Sequence, residues 1–160
     1  MSQNQAVRCM LLPLSGINLV VPNSAVSEVI GFTEPRKFED APEWFLGAVL
    51  WRGVYVPVVS VEQMCGIDTV HIGPRSRISI IYNPEKDEEL PYIGLHIQDI
   101  PRAYLAEGSK MESGSDDGLS QYLLSRVDDD QASRVIPNLD AIAVELKSQL
   151  SQEKLDKLSH

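Results

Sequence analysis

Residues 47–61 read Gly-Ala-Val-Leu-Trp-Arg-Gly-Val-Tyr-Val-Pro-Val-Val-Ser-Val, and the rest of the chain is organised around this stretch. Its β-branched and aromatic residues (Val49, Trp51, Val54, Tyr55, Val56, Val58, Val59) favour extended backbone on both sides of Arg52-Gly53. Gly53 can take a positive φ without a Cβ clash, so the two halves are expected to close as a tight hairpin. Pro57 has no N–H to give a ladder, which predicts an edge or a bulge there. Arg52 is the only charged residue in the stretch and sits at the apex of the reversal. On an arbitrary hairpin such an arginine reads as a solubilising tip.

A chain of 160 residues suffices for one domain with its own core, and 43% hydrophobic with 23% charged residues is ordinary for a globular protein. The net charge of −9 repels phosphate backbones and anionic lipid, which argues against nucleic acid and membrane as partners. No apolar run approaches the roughly 20 residues of a membrane span. Residues 1–6 are polar, without a basic head leading into an apolar run, so the chain reads as cytoplasmic. Cys9 and Cys65 show no C-x-x-C or Cys/His spacing and are expected to be free thiols, Cys9 in the core.

Residues 7–14 and 17–21 are almost wholly apolar around Ser15-Gly16, a second hairpin. Asn23 or Ser24 can then cap a short helix over residues 26–30, whose Val26, Val29 and Ile30 recur at i, i+3 and i+4 and which Gly31 would end. Glu28 falls off that stripe. Residues 33–43 form a charged, proline-punctuated loop, and residues 62–65 one helical turn ended by Gly66. Ile78, Ile80 and Tyr82 alternate as in a strand; residues 92–97 form another, in which Gly94 marks a bulge or a close backbone approach. Residues 106–118 hold three glycines, three serines and four acids and read as a flexible acidic linker within a single domain of core 7–150. A hairpin across residues 128–131 leads to a last helix opened by Pro137-Asn138, with Leu139, Ile142, Leu146 and Leu150 on one stripe and residues 151–160 as a fraying tail. Many short strands with few helices point to a mainly β, barrel-like architecture.

Few residue patterns in the chain point to chemistry. His71, His96 and His160 are scattered without metal-ligand spacing, and Asp128 to Asp130 lack the pattern of a calcium loop. No glycine cluster cradles phosphate, and Ser24 and Ser60 lie outside any nucleophile-elbow context. Cys65 with His71 or His96 is the only conceivable nucleophile–base pair, a thiol enzyme being the weakest of three readings. The expectation is no enzyme, no cofactor and no metal.

The order of elements, Val26-Ser27-Glu28-Val29-Ile30, a proline-containing loop, Phe45-Leu46-Gly47, Arg52-Gly53, then Val56-Pro57-Val58-Val59, resembles the CheW-type chemotaxis coupling proteins. The resemblance is strongest from Met10 to Gly66 and extends more loosely to Leu146. It implies two SH3-like five-stranded β-barrels with short helices and a C-terminal helix, and no catalysis. It implies an adaptor that bridges the regulatory domain of a CheA-type histidine kinase to the cytoplasmic tip of methyl-accepting chemoreceptors. Positions matching Val26, Glu28, Gly47 and Arg52, with Gly53 beside Arg52, would lie at or near a receptor-facing groove, and Arg52 would reach Glu28. Val26, Val29 and Trp51 are candidates to line that groove, though each suits a core equally. Leu50 stands where the family usually has Asn, and Ser60 where it usually has Asp. These departures suggest a divergent accessory member, for which a pilus-linked chemosensory array is one home. The alternative reading is an unrelated β-barrel interaction module that binds neither partner.

Overall fold

The hairpin at Arg52-Gly53 is present, and both its strands lie in one of the two sheets that make up the fold. The structure, a computed structural model, describes residues 6–66, 71–107, 121–128 and 133–150. Strands β1 (Ala6–Pro13) and β2 (Asn18–Pro22) open the chain and lead through a 3-10 turn at Asn23–Ala25. Strands β3 (Val26–Gly31), β4 (Phe45–Trp51) and β5 (Val54–Val59) follow, then a single helical turn α1 (Val61–Met64). Next come β6 (Arg77–Tyr82), β7 (Tyr92–Ile97) and β8 (Arg102–Glu107). The strands β9 (Leu123–Asp128) and β10 (Ser133–Pro137) precede the helix α2 (Leu139–Ser148). Two five-stranded sheets result, ordered β8-β1-β2-β10-β9 and β3-β6-β7-β5-β4. The second is built from five consecutive strands, inserted between the first two and last three strands of the first.

Three expectations change. Residues 26–30 are a strand and not a helix, so Gly31 ends a strand and Asn23 and Ser24 make no side-chain cap. The i, i+3, i+4 pattern over five residues could not discriminate the two. Three β-branched residues and a neighbour to pair with, β6, decide for the sheet. A bulge at Ser27 shifts the register between Val26↔Ile81 and Glu28↔Ile80. Arg102–Glu107 is a strand with no periodic signal of its own, pairing antiparallel with β1 from Ala6↔Glu107 to Leu11↔Arg102. Ala106 and Glu107 therefore belong to β8 and not to the acidic linker, whose remaining residues 108–118 lie outside the described residues, as do 129–132 and the tail 151–160. Pro57 is neither at an edge nor at a bulge, because β5 lies between β4 and β7. It is tolerated because its partner Ala48 exchanges both backbone hydrogen bonds with Arg36 instead (2.8 and 2.9 Å), and the parallel ladder to β7 begins only at Val58.

Alternation along the second sheet divides its side chains between two cores. One face carries Val49, Trp51, Val56, Val58, Ile78 and Ile80, which form a cluster inside the curl of that sheet. Gly94 serves this face: a Cβ there would lie 3.0 Å from the Ile78 Cγ2 and 3.1 Å from the Val58 Cγ2, the close approach its position suggested. The opposite face contributes Val59, Ile81, Ile93, Leu95 and Ile97 to a larger cluster shared with Leu12, Leu19 and Val21 of the first sheet and Ile142 and Leu146 of α2. The helix thus closes a core common to both sheets. Asn138 caps it, its side-chain oxygen accepting from the Ala141 N–H at 3.1 Å, and Lys147 near its end reaches Asp87 at 2.6 Å in the turn between β6 and β7.

Ser60 likewise caps α1, its Oγ accepting from the Gln63 N–H at 3.3 Å. This is work that an aspartate could do equally well, so the Ser60 departure leaves the local architecture unchanged.

Candidate functional site

A two-residue hairpin loop whose twist matches its strands needs positive φ at both central residues. Arg52 has φ +49° and Gly53 φ +80°. Glycine does this freely, whereas arginine pays a steric cost for the left-handed region, so the loop must gain elsewhere from having arginine there. The gain is visible in its side chain. The Arg52 Nη2 donates to the Glu28 Oε1 at 2.6 Å, and its guanidinium lies 5.0 Å from the centre of the Trp51 ring. The Trp51 Nε1–H donates to the other carboxylate oxygen, Glu28 Oε2, at 3.1 Å. Glu28 is on β3 and Trp51 on β4, the two end strands of the second sheet, so that sheet is coiled far enough for its edges to meet through side chains.

Both oxygens of Glu28 are therefore engaged. The Trp51 hydrogen bond, followed by the Arg52 one, holds its carboxyl below the usual carboxylate range. The Arg52 side chain remains 68% exposed while engaged at one nitrogen, which leaves further N–H groups facing solvent. Trp51 itself is nearly buried at 7% exposure, with its ring edge-on to Tyr92 at 4.9 Å. Tyr92 in turn lies 5.7 Å from Tyr82 on β6, its register partner. Arginine, tryptophan and two tyrosines thus form a continuous row across the mouth of the second sheet's inner core.

Of the residues selected from sequence, the structure brings together Glu28 and Arg52, with Gly53 beside them in the exposed turn. Val26 and Val29 are half-buried against the shared core. With residues 26–30 a strand, the bulge puts Glu28 on the inner face with Ile30, and Val29 on the other. Gly47 lies toward the opposite end of β4 from Arg52. Its φ is +124°, and a Cβ would overlap the Arg36 carbonyl where residues 33–43 cross the strand. Its glycine is thereby explained by the fold.

Trp51, expected from sequence only to line a groove, also bonds Glu28. The signal was there: a tryptophan on a strand destined for the core has one N–H that needs an acceptor. Leu50, by contrast, is 62% exposed on the outer face of β4.

Elsewhere, His96 is fully buried, edge-on to Phe32 at 5.3 Å, and burial lowers its pKa against an opposing pull from Glu62. Glu62 is also buried and accepts from the Gln98 Nε2 at 2.9 Å. A cleft of about 670 Å³ beside the 33–43 loop and the start of β4 mixes apolar lining (Phe32, Phe38, Phe45) with charged (Glu34, Lys37, Glu43). Among the described residues, no three His, Cys, Asp or Glu side chains gather as a metal site, and no helix is long and apolar enough to cross a membrane.

The sequence matches the family described as CheW-like domain over residues 8–145. The crystal structure of the scaffolding protein TtCheW from Thermoanaerobacter tengcongensis superposes with a TM-score of 0.71 at 17% identity, covering 83% of this chain and 89% of that one. No curated protein matches the sequence.

Proposed function

Because the chain belongs to the CheW-like domain family, we propose that it is a non-enzymatic chemosensory adaptor that couples chemoreceptors to a CheA-type histidine kinase. The scaffold role follows from the family; the coupling to those two partners is our reading. The observation that carries it is the Arg52–Glu28–Trp51 arrangement. An exposed guanidinium is held in one orientation by a carboxylate on another strand and by an aromatic face, on a backbone conformation that arginine does not favour. Preorganisation of this kind costs stability and lowers the entropy lost when a partner docks. The receptor tip, a helical hairpin, would meet this end of the second sheet, with Glu28, Arg52 and Gly53 in contact. Val26, Val29 and Gly47 would act through the fold beneath it.

Calorimetric titration against the regulatory domain of the organism's own CheA-type kinase, and separately against a receptor tip fragment, tests the proposal. Micromolar binding to both is expected. Arg52→Ala should weaken the tip complex and leave the kinase complex unchanged. A chain that binds neither partner would refute the adaptor reading.

A further inference from the structure

Two buried titratable side chains beside the second sheet are not satisfied by its packing. His96 is 0% exposed and Glu62 1%. Among the described residues, neither ring nitrogen of His96 has a hydrogen-bond partner. Glu62 spends Oε1 on the Gln98 amide and leaves Oε2 without a partner. Burial keeps His96 neutral, so it offers one N–H and one lone pair, while Glu62 offers an acceptor. Buried polar atoms are costly unless bonded. Three of them, on two side chains that act on each other electrostatically, call for a partner from outside the chain.

The pair lies behind the wall of the 670 Å³ cleft. Phe32 lines that cleft, packs against the inner core of the second sheet, and sets its ring edge-on to His96 at 5.3 Å. Gln63 also lines it and is the neighbour of Glu62 in α1. Each member of the pair is therefore one residue removed from the cleft. Phe32 stands just past the end of β3, so a change of its rotamer breaks no ladder bond.

Size and lining define the occupant. The volume suits a small organic molecule. Phe32, Phe38 and Phe45 supply aromatic surface. The exposed rim carries Glu34 and Glu43 against Lys37, none of which forms an ion pair with a described residue. Aromatic faces and an excess of carboxylate both favour a cation.

We propose that this cleft is a binding site for a small organic amine in its ammonium form, with Glu62 and His96 as its polar end. The apolar body lies along Phe38 and Phe45. With Phe32 turned aside, the ammonium donates to the Glu62 Oε2 and to the lone pair of His96, which satisfies two of the three open atoms. The site does not depend on the adaptor reading.

The test is calorimetric titration of the full chain with phenethylammonium chloride, with 3-phenylpropionate and 2-phenylethanol at the same ionic strength as comparators. The ammonium is expected to bind with a Kd on the order of 1 mM, ordinary for so small a ligand. The comparators should bind at least about tenfold more weakly. Glu62→Gln keeps the shape and an acceptor for Gln98, and should cost about tenfold in ammonium affinity. Glu39→Gln removes an exposed acid of the same loop that does not line the cleft, and should change nothing. In the unsubstituted chain, the His96 ring nitrogen resonances should shift with the ammonium and stay still with 3-phenylpropionate. That readout stands even where Glu62→Gln fails to fold. Equal binding of the three compounds, affinity unchanged in Glu62→Gln, or His96 resonances that do not move overturns the site, and water alone then meets the open atoms.

Discussion

Replacing Gly47 by alanine separates a glycine needed by the fold from one needed by a partner. At φ +124° a non-glycine residue is strained by about 2 kcal/mol. The new Cβ would overlap the Arg36 carbonyl, so the 33–43 loop must move away from β4. That movement loosens the Arg36 N–H to Ala48 C=O and Ala48 N–H to Arg36 C=O bonds of 2.8 and 2.9 Å, at about 1 kcal/mol each. Alanine returns roughly 0.5 kcal/mol by restricting the unfolded chain. The net expectation is a loss of about 3.5 kcal/mol. In urea, with an m-value of about 2 kcal/mol per molar, the midpoint should fall by about 1.8 M. Gly53→Ala is the control: φ is +80° but nothing lies within 4 Å of a Cβ, so about 1 kcal/mol and about 0.5 M are expected. Below its own transition, the Gly47→Ala protein should bind receptor tip as the parent does. A midpoint within 0.5 M of the parent, or a larger loss from Gly53→Ala, would refute the reasoning.

Two further outcomes follow from the shared core and the buried histidine. Leu146→Ala, at a fully buried position of α2, should cost about 2–5 kcal/mol and lower amide-exchange protection in β1 and β7 together; loss confined to one sheet would contradict a common core. His96 is held neutral, its pKa below the ordinary value near 6.5, so the unfolded state takes up its proton first. Stability should therefore fall as pH drops below about 6.5, by at most about 1.4 kcal/mol per pH unit for this one group. The carboxylates whose pKa values are lowered, Glu28, Asp87 and Asp99, keep their contribution until pH falls through the carboxylate range and below, so a loss between pH 6.5 and 5.5 belongs to the histidine. Urea midpoints at pH 7.5, 6.5 and 5.5 for the parent and His96→Leu check this; equal slopes would count against it.

The sequence by itself determined the elements whose signal is local. The Arg52-Gly53 reversal, the Ser15-Gly16 hairpin, the helix start at Pro137-Asn138 and the Leu139–Ile142–Leu146 stripe each rest on a conformational preference or a period read within a few residues. The Glu28 and Arg52 pairing was legible through the resemblance alone. Tertiary structure decided what depends on neighbours. Whether residues 26–30 coil or extend turned on β6 lying alongside, and the strand status of Arg102–Glu107 turned on β1. Pro57 could enter an inner strand because Arg36, 21 residues earlier, took the bonds of the facing residue Ala48. Glu28, Trp51, Arg52, Tyr92 and Tyr82 became one surface only because the sheet coils until its end strands meet. Contacts made across such distances in the chain have no period for a sequence to carry; they exist only once the strands are paired.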